Sequence, residues 1–232
     1  KETSDIVKRG IILVPEGTPE HYLAATRAYG AEIEMAPSIA EAFARADAYG
    51  AAGRAALHPF DDPLMMAGNG TLGLEVVEDA PDASDVFVSI GGGGLMAGVA
   101  AAVKGRRPQA RVWGVETLGC HAMRLARDLG RPVEMKPTSI ANTLAAPWVS
   151  ASTLAAARAW LEDVVVVPDA AAVAALVFLL ERAKVLTEPA ASCTLAAAEA
   201  VRGRLGEHVV LILCGGNAVL SDVAAWRERF RV

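Results

Sequence analysis

The chain has 232 residues, 53% of them hydrophobic and 21% charged, and carries a net charge of −5. That length allows one large domain, or one domain with a smaller companion, and the composition is that of a globular chain able to bury a core. The acidic balance, with no basic run to offset it, argues against a nucleic-acid surface.

Three widely spaced cysteines, Cys120, Cys193 and Cys214, fit neither a disulfide framework nor a C-x-x-C zinc site. They point to a reducing, cytoplasmic setting. The longest apolar run, Ala170–Leu180, stops at Glu181-Arg182 and is too short to span a bilayer. No signal peptide is read at the start of the chain.

In chain order, Ile11–Val14 reads as a strand and Pro19–Tyr29 as a helix that opens on proline and closes at Gly30. Ala31–Met35 is a strand and Ser38–Tyr49 a helix. Pro63–Val77 has a helical pattern, but Gly68, Gly70 and Gly73 predict a break or a functional turn within it. Val86–Ile90 carries no charge and suits a central parallel strand buried on both faces. A helix over Met96–Lys104, a strand over Arg111–Val115 and a helix over His121–Leu129 follow. Gly130–Trp148 is irregular. Helix Thr153–Leu161, strand Val164–Val167, helices Asp169–Lys184 and Cys193–Arg204, strand Val209–Leu213 and helix Ser221–Phe230 complete the chain.

Strand and helix alternate throughout. The pattern predicts an α/β fold with a mainly parallel open sheet flanked by helices, and ligands at the carboxyl ends of its strands. The seam falls near Ala55–Pro59, so residues 1–55 form a smaller α/β domain and residues 56–232 a larger one.

Two glycine turns sit at strand carboxyl ends. The first is Gly91-Gly92-Gly93-Gly94-Leu95. Consecutive glycines let successive N–H groups converge on one anion, and the following helix adds its positive N-terminal end. The loop alone does not say which anion. Gly92-x-Gly94-x-x-Ala97 also satisfies a dinucleotide fingerprint, and Glu116, at the end of the next strand, stands where a ribose-binding acid would. The second turn is Cys214-Gly215-Gly216-Asn217. Alone, Cys214 reads as a small buried hydrophobe; nothing nearby lowers its pKa, and a neutral thiol there could be a weak hydrogen-bond partner for a ring nitrogen.

Taken together, the motifs resemble those of the serine/threonine dehydratases and serine racemases, pyridoxal-phosphate (PLP) enzymes of the tryptophan-synthase-β type (fold type II). The matching stretches run in family order: Tyr29-Gly-Ala-Glu32, His58-Pro-Phe-Asp-Asp-Pro63, Ala67-Gly-Asn-Gly-Thr71, Gly91–Leu95, Gly114-Val-Glu116, Glu181-x-x-Lys184, Glu188-Pro-Ala190 and Cys214-Gly-Gly-Asn217. The resemblance implies that Gly91, Gly92, Gly93, Gly94 and Leu95 hold the cofactor phosphate. It places Cys214 against the pyridine nitrogen and Glu188 near the ring, although Glu188 also reads as an acid capping a helix. A neutral partner such as Cys214 leaves the ring a milder electron sink, which suits β-elimination. It also implies a homo-oligomer and an amino-acid substrate, and demotes Glu116 to a strand end.

The chain departs from the family at several points. The family's Schiff-base lysine, in a stretch like S-F-K-x-R-G, and its S-G-N-H loop are not matched; Lys8-Arg9-Gly10 echoes the first only superficially, and Lys1 does not match it. The chain is therefore expected to lack the family's N-terminal part, and no residue is assigned as catalytic. Some members carry an acidic metal ligand six residues after the glutamate matching Glu116; here that position is Ala122, so no metal is expected. The family's A-D-G appears as Ala141-Asn142-Thr143, and Asn69 replaces a glutamine. The functional expectation is β-elimination from L-threonine, L-serine or a related β-hydroxy amino acid, giving a 2-oxo acid and ammonia. Serine racemisation, an NAD-binding dehydrogenase and a non-catalytic subunit are the alternatives.

Overall fold

The computed structural model describes residues 10–232. Lys1, Lys8 and Arg9 lie outside the described residues. The chain divides into two compact units, the second beginning at His58.

The first unit ends at Leu57. In it β1 (Ile11–Pro15) and β2 (Glu32–Ala36) pair in parallel, Ile11 opposite Glu32 and Pro15 opposite Ala36. The crossover is α1 (Glu20–Ala28), and α2 (Ile39–Ala51) follows β2. Parallel pairing demands such a crossover. Ser38 starts α2 by accepting the Glu41 amide on its hydroxyl.

The second unit is built on a four-stranded parallel sheet of order β5-β4-β3-β6. Its strands are β3 (Asp85–Ser89), β4 (Arg111–Thr117), β5 (Leu161–Val167) and β6 (Val209–Leu211). The order of appearance explains the burial: β3 lies between β4 and β6, and every one of its residues is buried. Side chains alternate between the two faces. Val86, Val88 and Ile90 join a core with Met96, Val99 and Val103 of α4 (Gly94–Arg106). Phe87 turns to the other face, with Trp113 and Cys193. Helices α3 (Pro63–Asp79), α5 (Ala122–Leu129) and α6 (Ala151–Trp160) complete the first layer; α7 (Asp169–Phe178) and α8 (Pro189–Ala200) form the second, and α9 (Leu220–Phe230) ends the chain.

The glycines of α3 do not break it. The helix is continuous from Pro63 to Asp79, and two of its glycines serve close packing instead. A Cβ on Gly73 would come within 2.8 Å of the Val99 carbonyl and one on Gly70 within 3.3 Å of the Gly98 carbonyl; from the α4 side, one on Gly98 would come within 2.2 Å of the Met66 carbonyl. Helices α3 and α4 touch backbone to backbone, which only residues without a Cβ permit. Two other expectations shorten. The helix expected to reach Lys184 ends at Phe178 and continues as a π turn over Leu179–Ala183, and β6 stops at Leu211.

Candidate cofactor site

Both glycine turns lie at carboxyl ends of neighbouring strands, β3 and β6. After β3 the chain enters Gly91–Gly94, and Gly93 takes a left-handed conformation (φ +100°) as the N-cap of α4. Among the described residues, the amides of Gly91 through Met96 donate to no backbone carbonyl. Gly92, Gly93 and Gly94 are buried. Buried, unpaired amides at a helix start call for an anion.

The loop's surroundings explain why it is glycine throughout. A Cβ on Gly92 would meet the Phe60 ring at 2.0 Å, one on Gly94 the Phe60 Cα at 2.8 Å, and one on Gly93 the Thr153 Cβ at 2.7 Å. Phe60 is delivered by the His58–Pro63 turn, whose residues each have a local task. His58 Nδ1 accepts the amides of Phe60 (3.3 Å) and Asp61 (2.8 Å), closing the turn. Asp61 accepts the Ser152 hydroxyl. Asp62 caps α3 through Leu64 N (2.7 Å) and Met65 N, and Pro63 opens the helix.

Beside β3, Ser89 donates to the Ala190 carbonyl (2.5 Å) and lies 3.6 Å from Cys193 Sγ. It also hydrogen-bonds Cys214 of the second turn. Cys214 reaches solvent, whereas Cys120 and Cys193 are buried. Desolvation by the surrounding protein pushes the Cys214 thiol up, the Ser89 bond opposes this, and the facing Glu188 adds to the rise. The thiol is thus neutral at neutral pH, a weak hydrogen-bonding group and not a nucleophile.

Glu188 occupies the N-cap position of α8 but makes no capping bond. Its carboxylate instead accepts the Thr143 hydroxyl at 3.0 Å and the Asn217 amide, and its own amide donates to the Gly215 carbonyl at 3.1 Å. A Cβ on Gly215 would strike Glu188 Oε1 at 2.3 Å, so the second turn is glycine because the carboxylate lies against it. Burial raises the Glu188 pKa and the two donors restrain the rise. Thr143 sits in a short 3-10 turn, Asn142–Leu144, within the irregular stretch. Asp169 secures that stretch by accepting the Ser139 hydroxyl (2.5 Å) and the Ile140 amide.

Glu116 is placed elsewhere. Its carboxylate is buried and accepts the amides of Met123 (2.8 Å) and Arg124 (2.9 Å) at the start of α5. Both oxygens are engaged within the protein, which removes the ribose-binding acid the dinucleotide reading requires. Of the described lysines, Lys104 donates to the Pro108 carbonyl and Lys184 to the Glu181 carbonyl, each within its own turn, and Lys136 is exposed.

The sequence reading missed Ser89, Phe60, Thr143 and Thr153. The His58–Pro63 motif carried a signal for Phe60. Thr143 was marked only as a departure from the family's A-D-G, and for Ser89 and Thr153 nothing short of the folded neighbourhood marks one hydroxyl among many.

A parallel α/β sheet with a glycine turn of unpaired amides at a helix start, beside a neutral thiol and a buried carboxylate, is an arrangement suited to an anionic ligand at the strand ends. The chain belongs to the family of pyridoxal-phosphate dependent enzymes, whose model matches residues 7–215. It is 38% identical over 222 residues to an L-threonine ammonia-lyase of Geobacter sulfurreducens, covering 94% of this chain and 55% of that protein. Among solved structures it resembles the T.th. threonine deaminase (TM-score 0.85, 31% identity, 94% of this chain and 75% of that one). Maize serine racemase is also similar (TM-score 0.85, 27% identity, 95% and 69%). The chain spans about half the length of the L-threonine ammonia-lyases it matches from Geobacter sulfurreducens (55%) and Thermotoga maritima (52%).

Proposed function

We propose that the protein containing this chain is a PLP-dependent ammonia-lyase that eliminates the β-hydroxyl of L-threonine, L-serine or a related amino acid. The observation that carries this reading is the pairing of the two turns: unpaired amides over Gly91–Leu95, buried at Gly92, Gly93 and Gly94, and Cys214 with Glu188 across the neighbouring strand end. The relatives named as threonine ammonia-lyase and threonine deaminase support the substrate class.

In this reading the amides of Gly91, Gly92, Gly93, Gly94 and Leu95 hold the phosphate. The bound cofactor supplies an electron sink for the carbon that loses its proton. Cys214 would serve as a neutral partner for the ring nitrogen, which would keep that sink mild and favour expulsion of the β-hydroxyl over return of the proton. Glu188 would stand on the ring's side of the site. Proton removal from the substrate falls to a lysine that the described residues do not supply. A homo-oligomer in the cytoplasm fits the resemblance and the free cysteines. No described helix is long and apolar enough to cross a membrane.

The test is to express the full reading frame containing this chain and supply L-threonine and L-serine. 2-Oxobutyrate and pyruvate with ammonia are expected. D-serine without pyruvate would establish the racemase instead, and failure to act on either, with cofactor bound, would refute both.

A further inference from the structure

We propose that Thr143 is a positioning residue for the site: its hydroxyl holds the Glu188 carboxylate against the Cys214-Gly215 turn and so ties the irregular loop to both glycine turns. This deepens the reading of Glu188 and Cys214 as cofactor-facing and rests on it.

The geometry is three-sided. The Thr143 hydroxyl donates to Glu188 Oε1 at 3.0 Å. The Thr143 carbonyl lies 3.3 Å from where a Cβ on Gly91 would be, so the same residue lies against the first glycine of the phosphate loop. Glu188 in turn lies so close to Gly215 that no side chain fits there, and its amide donates to the Gly215 carbonyl. One residue of a loop otherwise without regular structure thus touches the start of one turn and, through a carboxylate, the middle of the other.

The loop is placed for this by groups outside the turns. Asp169, at the start of α7, accepts Ser139 and the Ile140 amide, and Ser139 accepts the Ala141 amide at 3.0 Å. Ser139 also bonds Thr117 at the end of β4 (2.8 Å). The 3-10 turn carrying Thr143 begins at the next residue, Asn142.

Thr143 provides the sole side-chain hydroxyl donated to Glu188 among the described residues. The other donor is the Asn217 amide. Among the described residues, the titratable group facing the carboxylate is the Cys214 thiol. A donor to a carboxylate favours its charged form. Thr143 therefore fixes both where the Glu188 oxygens point and how readily they stay charged beside Cys214. A residue with no side-chain donor at this position would remove one of the two donors to a buried carboxylate.

The experiment is a carbon-13 titration of the glutamate carboxyls in the chain, with the Glu188 signal assigned by its loss in Glu188→Gln. Thr143→Val removes the hydroxyl and keeps the shape; Thr143→Ser restores it. Thr143 is exposed, so both variants should fold. The Glu188 midpoint is expected to rise by about one pH unit in T143V, as for loss of one bond to a charged group, and to return in T143S. An unchanged midpoint in T143V would overturn the proposal. So would a shift of the same size in T143S, because the cause would then be a disturbed loop and not the hydroxyl. The titration needs no cofactor. If the shift appears but the full reading frame containing this chain retains no pyridoxal phosphate in equilibrium dialysis, the cofactor reading fails and the Thr143–Glu188 contact stands.

Discussion

Two glycine-to-alanine changes in the α3–α4 pair should move stability in opposite directions. At Gly98 the new Cβ would sit 2.2 Å from the Met66 carbonyl oxygen, 2.7 Å from the Gly70 nitrogen and 2.9 Å from Asn69 Cβ. Two of these three are backbone atoms of α3, which no rotamer change can withdraw, so the helices must separate by about 1 Å to restore ordinary contact. Overpacking of this kind costs about 1–3 kcal/mol, and the backbone obstruction places G98A near the upper end. Alanine's better helix propensity returns about 1 kcal/mol, leaving a net loss of about 2 kcal/mol. For a chain of this size that lowers the unfolding midpoint by roughly 4–8 °C. At Gly68, in the same helix pair, a Cβ meets nothing within 4 Å. Gly68→Ala should gain about 0.5–1 kcal/mol from backbone entropy alone. Thermal unfolding followed by far-UV circular dichroism reads both. A G98A protein as stable as the parent would refute the backbone-to-backbone packing, and with it the explanation of why α3 is glycine-rich yet unbroken.

Asp85, fully buried at the start of β3, accepts Trp113 Nε1 (2.8 Å), the Gly206 amide (2.8 Å), Arg111 (2.9 Å) and the Ser84 hydroxyl. Burial acts to raise its pKa, but these donors outweigh it and hold the carboxyl below its ordinary value. The stabilisation is present above the unfolded-state pKa and lost as pH falls through the lower folded one. Asp85→Ala should cost about 3–5 kcal/mol at neutral pH by urea unfolding, with the deficit shrinking in acid; a pH-independent deficit would contradict this. Glu116 behaves oppositely. Burial pushes it up to about 8 against the Met123 and Arg124 amides. Its contribution is complete below the unfolded-state pKa and is lost as pH rises through about 8, a slope that Glu116→Gln should flatten in urea titrations. Of the three thiols, Cys214 alone is exposed, so a brief alkylation should add one equivalent, mapped to Cys214 by mass spectrometry. Rapid modification of Cys193 would contradict the burial that pushes its thiol up to about 12.

The alternation of elements was legible because each is dictated by local burial. Val86–Ile90 reads as a strand since a parallel strand covered on both faces must be apolar throughout. The glycine turns were legible for a related reason: four glycines at a strand's end have few purposes other than close approach. The structure corrected what depends on the partner across the gap. Gly70 and Gly73 in α3 look like breakers until α4 is seen lying against them, and Glu116 looks like a ligand-binding acid until the α5 amides are seen filling both oxygens.

By itself, then, the sequence determined the α/β fold class and the two turns, because hydrophobic periodicity and glycine sterics act over a few neighbouring residues. Only the tertiary structure decided which polar groups meet. Thr143 reaches Glu188 across 45 residues, and Ser89 bonds Cys214 on the neighbouring strand's turn. A hydroxyl carries no local signature of its acceptor; the pairing exists only where the sheet brings two strand ends and a pinned loop within about 3 Å of one another.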